Sequence, residues 1–477
     1  MKKNKPDVSQ HEIDLSIAGI SRKTIDKIVT AWKESGNPPP KIHPDMLPED
    51  EKNLMNLMTE CILEEGGDIS RQAKIVHLGM IYINLSQKGK GKFLRILARN
   101  FDVDTDLLDE RIRKLKTARN QTERIEAELL LRDALIPPRV KLLRQLIKLP
   151  NGFIFLKDMR SDLLPMIKSI PRLKKLDTDI ENLLSAYFDV NLLDLQEISW
   201  NSPASLLEKL MEYEKVHKIL SWEDLKHRLY TDHRVFAFFH FRMPNDPLIF
   251  VEVALVNGMP GNIQKLLDIN APANDPAESD TAIFYSISNT QKGLTGISYG
   301  NFLIKRVVQH LSEELPNLKT FATLSPIPGF CQWLYPYLHE GGDPLFTANE
   351  STKICKLSGK KNSREGLLEI LKDEYWYRNA EKEKILKKPL MRLCAHYLIN
   401  IKRGNKAFDP VAHFHLSNGA KIQHIHWMAD ISKKGISKSC GIMLNYHYRL
   451  NKIELNHESY LATGNVYASK DTRFWLK

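Results

Sequence analysis

The chain has no apolar run approaching the ~18 residues that a membrane-crossing helix needs. Integral membrane roles are set aside on that ground. Its cysteines are few and scattered: Cys61, Cys331, Cys355, Cys394 and Cys440 form no Cys-x-x-Cys spacing. That argues against a disulfide scaffold or a thiolate zinc cluster and fits a reducing compartment. The amino terminus, MKKNKPDVSQHEIDLS, lacks an apolar core and carries acids. Neither a secretion signal nor an import sequence is expected, and the cytoplasm is the expected location. Repeats and low-complexity tracts are missing too. No Met-Lys-Met biotin signature occurs, and no His-x-x-x-His spacing with a nearby acid suggests a metal.

What is present is an ordinary soluble composition, 42% hydrophobic and 27% charged. At 477 residues the chain exceeds one core, so two domains are expected. The net charge of +11 points to an anionic partner, either nucleic acid or a phosphorylated cofactor. A merely solvated basic surface is the alternative, because the lysines are spread through helical segments.

The two halves have different grammar. Residues 1 to about 190 place apolar side chains at i, i+3/i+4 and i+7 in KTIDKIVTAW, EKNLMNLMTECILEEG, QAKIVHLGMIYINLSQ, GKFLRILARNF, DLLDERIRKLK and TERIEAELLLRDAL. These are helices without apparent chemistry, suited to packing and subunit contact. From Ile198–Trp200 onward strands dominate: VFAFFHF (235–241), LIFVEVALV (248–256) and TAIFYSIS (281–288). A helix, NFLIKRVVQHLSEEL (301–315), and a further strand follow. Later come helical EGLLEILKDEYWYR and PLMRLCAHYLI, then strands in VAHFHL, IQHIHWMA and CGIMLNYHYRL. The fold class is α+β, an all-α amino-terminal domain followed by a largely antiparallel sheet with helices.

Two stretches offer chemistry. In FATLSPIPGF (321–330) a strand stops at Ser325, because Pro326, Pro328 and Gly329 forbid a continuing ladder. Between TAIFYSIS and its helix lies NTQKGLTGISYGNF (289–302), whose glycines free backbone N–H groups for an anion such as a pyrophosphate. GISYG matches the hydrolase nucleophile elbow and would make Ser298 a nucleophile, but intervening polar residues and the missing parallel alternation oppose it. A Rossmann site lacks its Gly-x-Gly-x-x-Gly. A strand, a loop from Gln291 to Gly296 similar to Gln-x-x-Gly-x-x-Gly, a helix and another strand resemble the acyl-CoA-binding core of the GNAT acyltransferases. That resemblance implies that Thr295, Gly296, Ile297, Ser298, Tyr299, Gly300 and Asn301 hold coenzyme A phosphates and that Ser325 faces the thioester.

Seven blocks in one order, FYSISNTQKGLTG, FLIKRVV, LSPIPGF, PLMRLC, DPVAHFHLSNGA, HWMADISKKGI and SCGIMLNYHY, together resemble the malonyl-CoA decarboxylase family over residues 196–477. The amino-terminal half resembles that family's helical domain more loosely, best at LRDALIPPRVKLLRQL and NLLDLQEISWNSP. The resemblance implies a helical domain at 1–190 that serves oligomerisation and a GNAT-like catalytic domain at 191–477. It implies a lyase of fatty acid metabolism that turns malonyl-CoA into acetyl-CoA and CO2, as a homodimer or homotetramer, with no nucleic acid or membrane partner. Ser325 and His415 match the family's catalytic pair. Loss of CO2 from a malonyl thioester leaves an enolate that the thioester itself delocalises, so no cofactor is expected. His415, with a pKa expected near neutral, is the expected proton donor; Ser325 would bind the carboxylate or thioester and orient it.

Competing readings stand beside these. His415, expected on an apolar strand, competes with a core role and with His413, His424, His426 and His447. Tyr448 matches a family tyrosine near the site, Tyr446 reads as a sheet residue, Asp430 as a turn cap and Asn418–Gly419 as a turn. Lys292, Lys305 and Arg306 are candidate phosphate contacts. Animal members of the family carry an acid where this chain has Ser298, and the terminal DTRFWLK lacks their Ser-Lys-Leu peroxisomal address. A GNAT-type transferase acting on an amine, or a non-catalytic acyl-CoA sensor, are the alternative functions.

Overall fold

The computed structural model describes residues 40–63, 68–187, 193–297, 302–340 and 346–476. The chain divides into two compact units: Met1–Leu192 with Phe241–Met243 and Gln291–Ser298, and the remainder from Leu193.

The first unit is helical: α1 Pro48–Ile62, α2 Asp68–Asn84, α3 Gln87–Asn100, α4 Thr105–Thr117, α5 Gln121–Ala134, α6 Pro138–Lys148, α7 Gly152–Leu163 and α8 Leu173–Ser185. The starts are written locally. Ser86, Asp104 and Asn120 cap α3, α4 and α5 with side-chain oxygens, and Pro138 opens α6. Leu54, Met58, Phe93, Leu97, Leu142, Phe153, Leu156 and Ile180 fill the interior. The expected helix at 23–32 lies outside the described residues.

The second unit is built on a mixed sheet of β1 Leu193–Ile198, β2 His233–His240, β3 Met243–Val256, β4 Thr281–Asn289, β5 Thr320–Thr323, β6 Ser325–Pro326, β9 Lys421–His426 and β10 Met443–His447. The order is β1-β2-β3-β4-β5-β10-β6, with β9 also on β10; β7 Lys402–Arg403 and β8 Lys406–Ala407 form a separate ribbon. The β4–β5 pair is parallel, whereas β1–β2, β3–β4 and the ladders of β10 are antiparallel. Its helices are α9 Ala204–Tyr213, α10 Trp222–Arg228, α11 Ile263–Leu266, α12 Phe302–Glu314, α13 Phe330–Glu340, α14 Ala348–Ser358, α15 Ser363–Leu371, α16 Ala380–Asn400, α17 Pro410–Ser417, α18 Lys433–Ser439, α19 Ile453–Thr463 and α20 Lys470–Phe474. Central β2 and β3 are buried almost throughout, as strands covered on both faces must be.

Two features position the site. The parallel register runs from Thr281↔Thr320 to Phe284↔Thr323 and stops, although β4 continues to Asn289. The chain after β5 turns instead onto β10, pairing Ser325↔Leu444 and Pro326↔Met443. The second is a correction: VAHFHL (411–416) is helical. Asp409 accepts from the Val411 and Ala412 N–H groups, and Pro410 takes the first helical position. That start signal outweighs the strand-like alternation. No helix among the described residues is long and apolar enough to cross a membrane.

Candidate active site

Ser325 is held by what surrounds it in sequence. On one side Leu324 donates its N–H to the Phe284 carbonyl at 3.1 Å, a tie between β4 and the chain leaving β5. On the other, the Gly329 N–H donates to Asp409 Oδ2 at 3.0 Å. A Cβ on Gly329 would stand 2.3 Å from Tyr397 Oη, so only glycine fits this close approach. Tyr397 Oη donates to the same carboxylate oxygen at 3.3 Å, while Asp409 Oδ1 caps α17. One buried carboxylate thus joins the loop after Ser325 to the helix that carries His415.

The structure brings the two predicted residues together. Ser325 Oγ lies 3.2 Å from His415 Nε2, and His415 Nδ1 lies 2.7 Å from Tyr448 Oη. The Tyr446 ring stacks on the imidazole, centroids 4.4 Å apart at 28°. Ser325 donates to Thr323 Oγ1 at 2.8 Å, and Thr323 Oγ1 also accepts the Tyr446 N–H at 3.1 Å. With the serine proton directed at Thr323, its lone pairs face the imidazole. The consistent proton assignment has His415 donating from Nε2 and accepting the Tyr448 O–H at Nδ1.

All five side chains are buried. Burial, with no acid beside it, pushes the His415 imidazole down to about 3, so the ring is neutral at neutral pH. The near-neutral value expected from the residue type is corrected by this environment. Burial likewise pushes the Tyr446 and Tyr448 phenols well above their ordinary value, so both keep their protons.

Three of the four neighbouring histidines are engaged elsewhere. His413 Nδ1 meets Tyr460 Oη at 2.9 Å, His426 bonds Asn445, and His424 faces Asp471 at 3.5 Å. Asp430 caps the turn before α18, accepting the Ser432 N–H at 3.0 Å, and Gly419 follows α17 with φ +78°. Of the phosphate-loop candidates, Thr295, Gly296 and Ile297 are described, and Ser298, Tyr299, Gly300 and Asn301 lie outside the described residues. Lys305 pairs with Glu454, Arg306 donates to the Leu193 carbonyl, and Lys292 is exposed on the loop. A metal-type grouping among the described residues, exposed Glu197, His310 and Glu314, is already bridged by Arg234 at 3.1 and 3.2 Å to the two carboxylates.

Sequence reasoning missed Thr323, Asp409 and Tyr397, and it read Tyr446 as structural. The Asp409–Pro410 pair was the available signal for the helix. Nothing local in the sequence points to the stack or to Thr323.

An α+β enzyme with a buried hydroxyl–imidazole pair at a strand end is the class that this fold and site define. Residues 191–477 match the malonyl-CoA decarboxylase C-terminal domain, and residues 101–188 match its N-terminal domain. The chain belongs to the malonyl-CoA decarboxylase family. It is 38% identical over 396 residues to the mitochondrial malonyl-CoA decarboxylase of Anser anser anser, covering 80% of this chain and 78% of that one. The Rattus norvegicus protein is 38% identical over 397 residues, with 80% of each chain covered. The malonyl-CoA decarboxylase structure from Rhodopseudomonas palustris superposes with a TM-score of 0.80 at 36% identity, over 89% of this chain and 99% of that one. That from Agrobacterium vitis gives 0.79 at 36% identity, over 89% and 100%.

Proposed function

We propose that this protein decarboxylates malonyl-CoA to acetyl-CoA and CO2, and that it does so without a metal or organic cofactor. The observation that carries the reading is the buried chain Tyr448–His415–Ser325–Thr323 in a domain of this family. The bond between the α-carbon and the carboxylate breaks, its electron pair stays on the α-carbon as a thioester enolate, and CO2 leaves. The overall reaction then takes up one proton at that carbon.

His415 supplies that proton from Nε2. Burial disfavours the imidazolium, but the malonyl carboxylate brings an anion beside the ring, and an adjacent opposite charge favours protonation. Substrate binding and proton uptake are therefore coupled. Ser325 hydrogen-bonds the substrate, and Tyr448 keeps the imidazole turned toward it. Burial strengthens each of these contacts by lowering the local dielectric.

The test is to incubate purified protein with malonyl-CoA, with no added cofactor, and to follow both thioesters and CO2. Stoichiometric acetyl-CoA and CO2 are expected. Acyl transfer to an amine without CO2 would point to a GNAT-type transferase, and tight binding without turnover to a sensor.

The helical unit serves self-association in this reading, giving a dimer or a tetramer. Helix α4 has no buried residue, and the α5 segment leaves Ile125, Leu129, Leu135 and Ile136 exposed. Such a stripe is suited to a second copy. A monomer in sedimentation at micromolar concentration would refute this.

A further inference from the structure

We propose that Arg160, on helix α7 of the helical unit, is a positioning residue for the coenzyme A loop, so that the helical unit sets affinity for the nucleotide end of the substrate. The inference rests on the functional reading above, in which the loop that begins at Gln291 receives the phosphates.

Arg160 is 2% exposed, and every nitrogen of its guanidinium donates. Nη1 donates to the Gly293 carbonyl at 3.0 Å and to the Thr295 carbonyl at 2.7 Å. Nε donates to Asp177 Oδ1 at 2.7 Å and Nη2 to Glu181 Oε2 at 3.0 Å, both on α8. One turn earlier on the same face, Lys157 Nζ donates to Gln291 Oε1 at 2.9 Å. The loop lies directly on α7: a Cβ on Gly293 would stand 1.9 Å from the Lys157 carbonyl. Both cations hold the loop, and Arg160 ties it to α8 as well.

This clamp has a direction. In a trans peptide the C=O and the N–H point to opposite sides. Holding the Thr295 carbonyl on Arg160 therefore turns the Gly296 N–H away from the guanidinium, outward from α7. Gly296 has φ +88°, a conformation that suits glycine and lets successive N–H groups converge on an anion. Glu181 matters as well, since its Oε1 would stand 3.2 Å from a Cβ on Gly296. Arg160 neutralises that carboxylate, which would otherwise repel a phosphate beside it. The guanidinium thus shapes the loop and removes a hostile charge. A lysine keeps the charge but cannot make the fork.

A residue that only stabilised the helical unit would not distinguish one malonyl thioester from another, so the test compares two substrates. Malonyl-CoA carries the pyrophosphate; malonyl-N-acetylcysteamine does not. Arg160→Lys is expected to raise KM for malonyl-CoA about ten-fold or more, as loss of a charged hydrogen bond predicts. Its kcat is expected to stay within about two-fold, and kcat/KM for the truncated thioester to be unchanged. Equal losses on both substrates, or a fall in kcat with KM unchanged, would overturn the proposal. So would a wild-type enzyme that handles both thioesters equally, because the loop would then hold no phosphate. A wild type that releases no CO2 from malonyl-CoA would instead sink the functional reading. Should Arg160→Lys fail to fold, as judged by its thermal melt, Gln291→Met removes the loop-side acceptor of Lys157, the neighbouring cation of the same clamp, and carries the same expectation and the same refutation.

Discussion

The loop after β4 and the loop after β6 are both built around glycine, yet charges of opposite sign hold them. Cations grip the first: Lys157 holds the Gln291 side-chain oxygen, and Arg160 holds two backbone carbonyls. An anion grips the second, where Asp409 takes the Gly329 N–H. The sign of the clamp decides which pole of the backbone is left over. A loop held by its carbonyls presents N–H groups, which suits phosphate. A loop held by its N–H leaves the work to a side chain, which in the proposed function is Ser325. Under the proposed function, the same backbone chemistry yields a binding loop in one place and a catalytic platform in the other.

Breaking the catalytic platform should give the largest effects. His415→Asn and Ser325→Ala are each expected to lower kcat by roughly 10²–10⁴-fold while malonyl-CoA still binds. The double variant should be little worse than the poorer single one, since both groups serve one reaction centre. Additive losses in steady-state kinetics would separate the two residues.

Asp409→Ala sharpens the contrast between the clamps. It leaves the Gly329 N–H and the Tyr397 O–H unpaired and uncaps α17, at a cost of about 1–3 kcal/mol. A lower melting temperature and roughly ten-fold lower kcat with KM spared are expected, the reverse of the KM effect at Arg160. A pure KM effect would show that the two clamps do not differ as argued. Tyr448→Phe removes the donor to Nδ1 but keeps the ring. Its kcat should fall about ten-fold, with binding unchanged and the kcat–pH profile altered, because the imidazole's proton placement is no longer set.

Acid should expose the burial of the histidine. Unfolded, His415 titrates near its ordinary value; folded, it is pushed down to about 3, and His233 to about 4. Between those values and about 6.5 the unfolded chain binds more protons. This contribution to stability is whole above about pH 6.5 and is lost as pH falls toward the folded values, by about 1.4 kcal/mol per pH unit for each such proton. His415→Asn should make the dependence of the urea midpoint on pH shallower by one proton, and an unchanged slope would count against a neutral buried ring. The smallest effect is expected at Ser298→Ala, within a few-fold in kcat, because that serine is assigned to the loop. A dead Ser298→Ala beside a healthy Ser325→Ala would restore the hydrolase elbow.

The sequence alone determined the division into a helical half and a sheet-bearing half, because 3.6-residue and alternating patterns are read within short windows. It also placed Ser325 just past the β5 run, although Pro326, expected to stop the ladder, pairs with Met443 in β6, and motif resemblance put His415 opposite it, ninety positions downstream. Local patterning failed at VAHFHL, where apolar alternation suggested a strand and the Asp–Pro start made a helix. Tertiary structure alone decided the rest. Asp409 reaches Gly329 across 80 positions, Arg160 reaches Thr295 across 135, and Tyr446 meets His415 only because a strand and a helix pack face to face. Burial decided the protonation of His415, since an imidazole's pKa is set by its surroundings and not by its neighbours in sequence. Contacts of that range depend on how the elements pack, which no window along the chain contains.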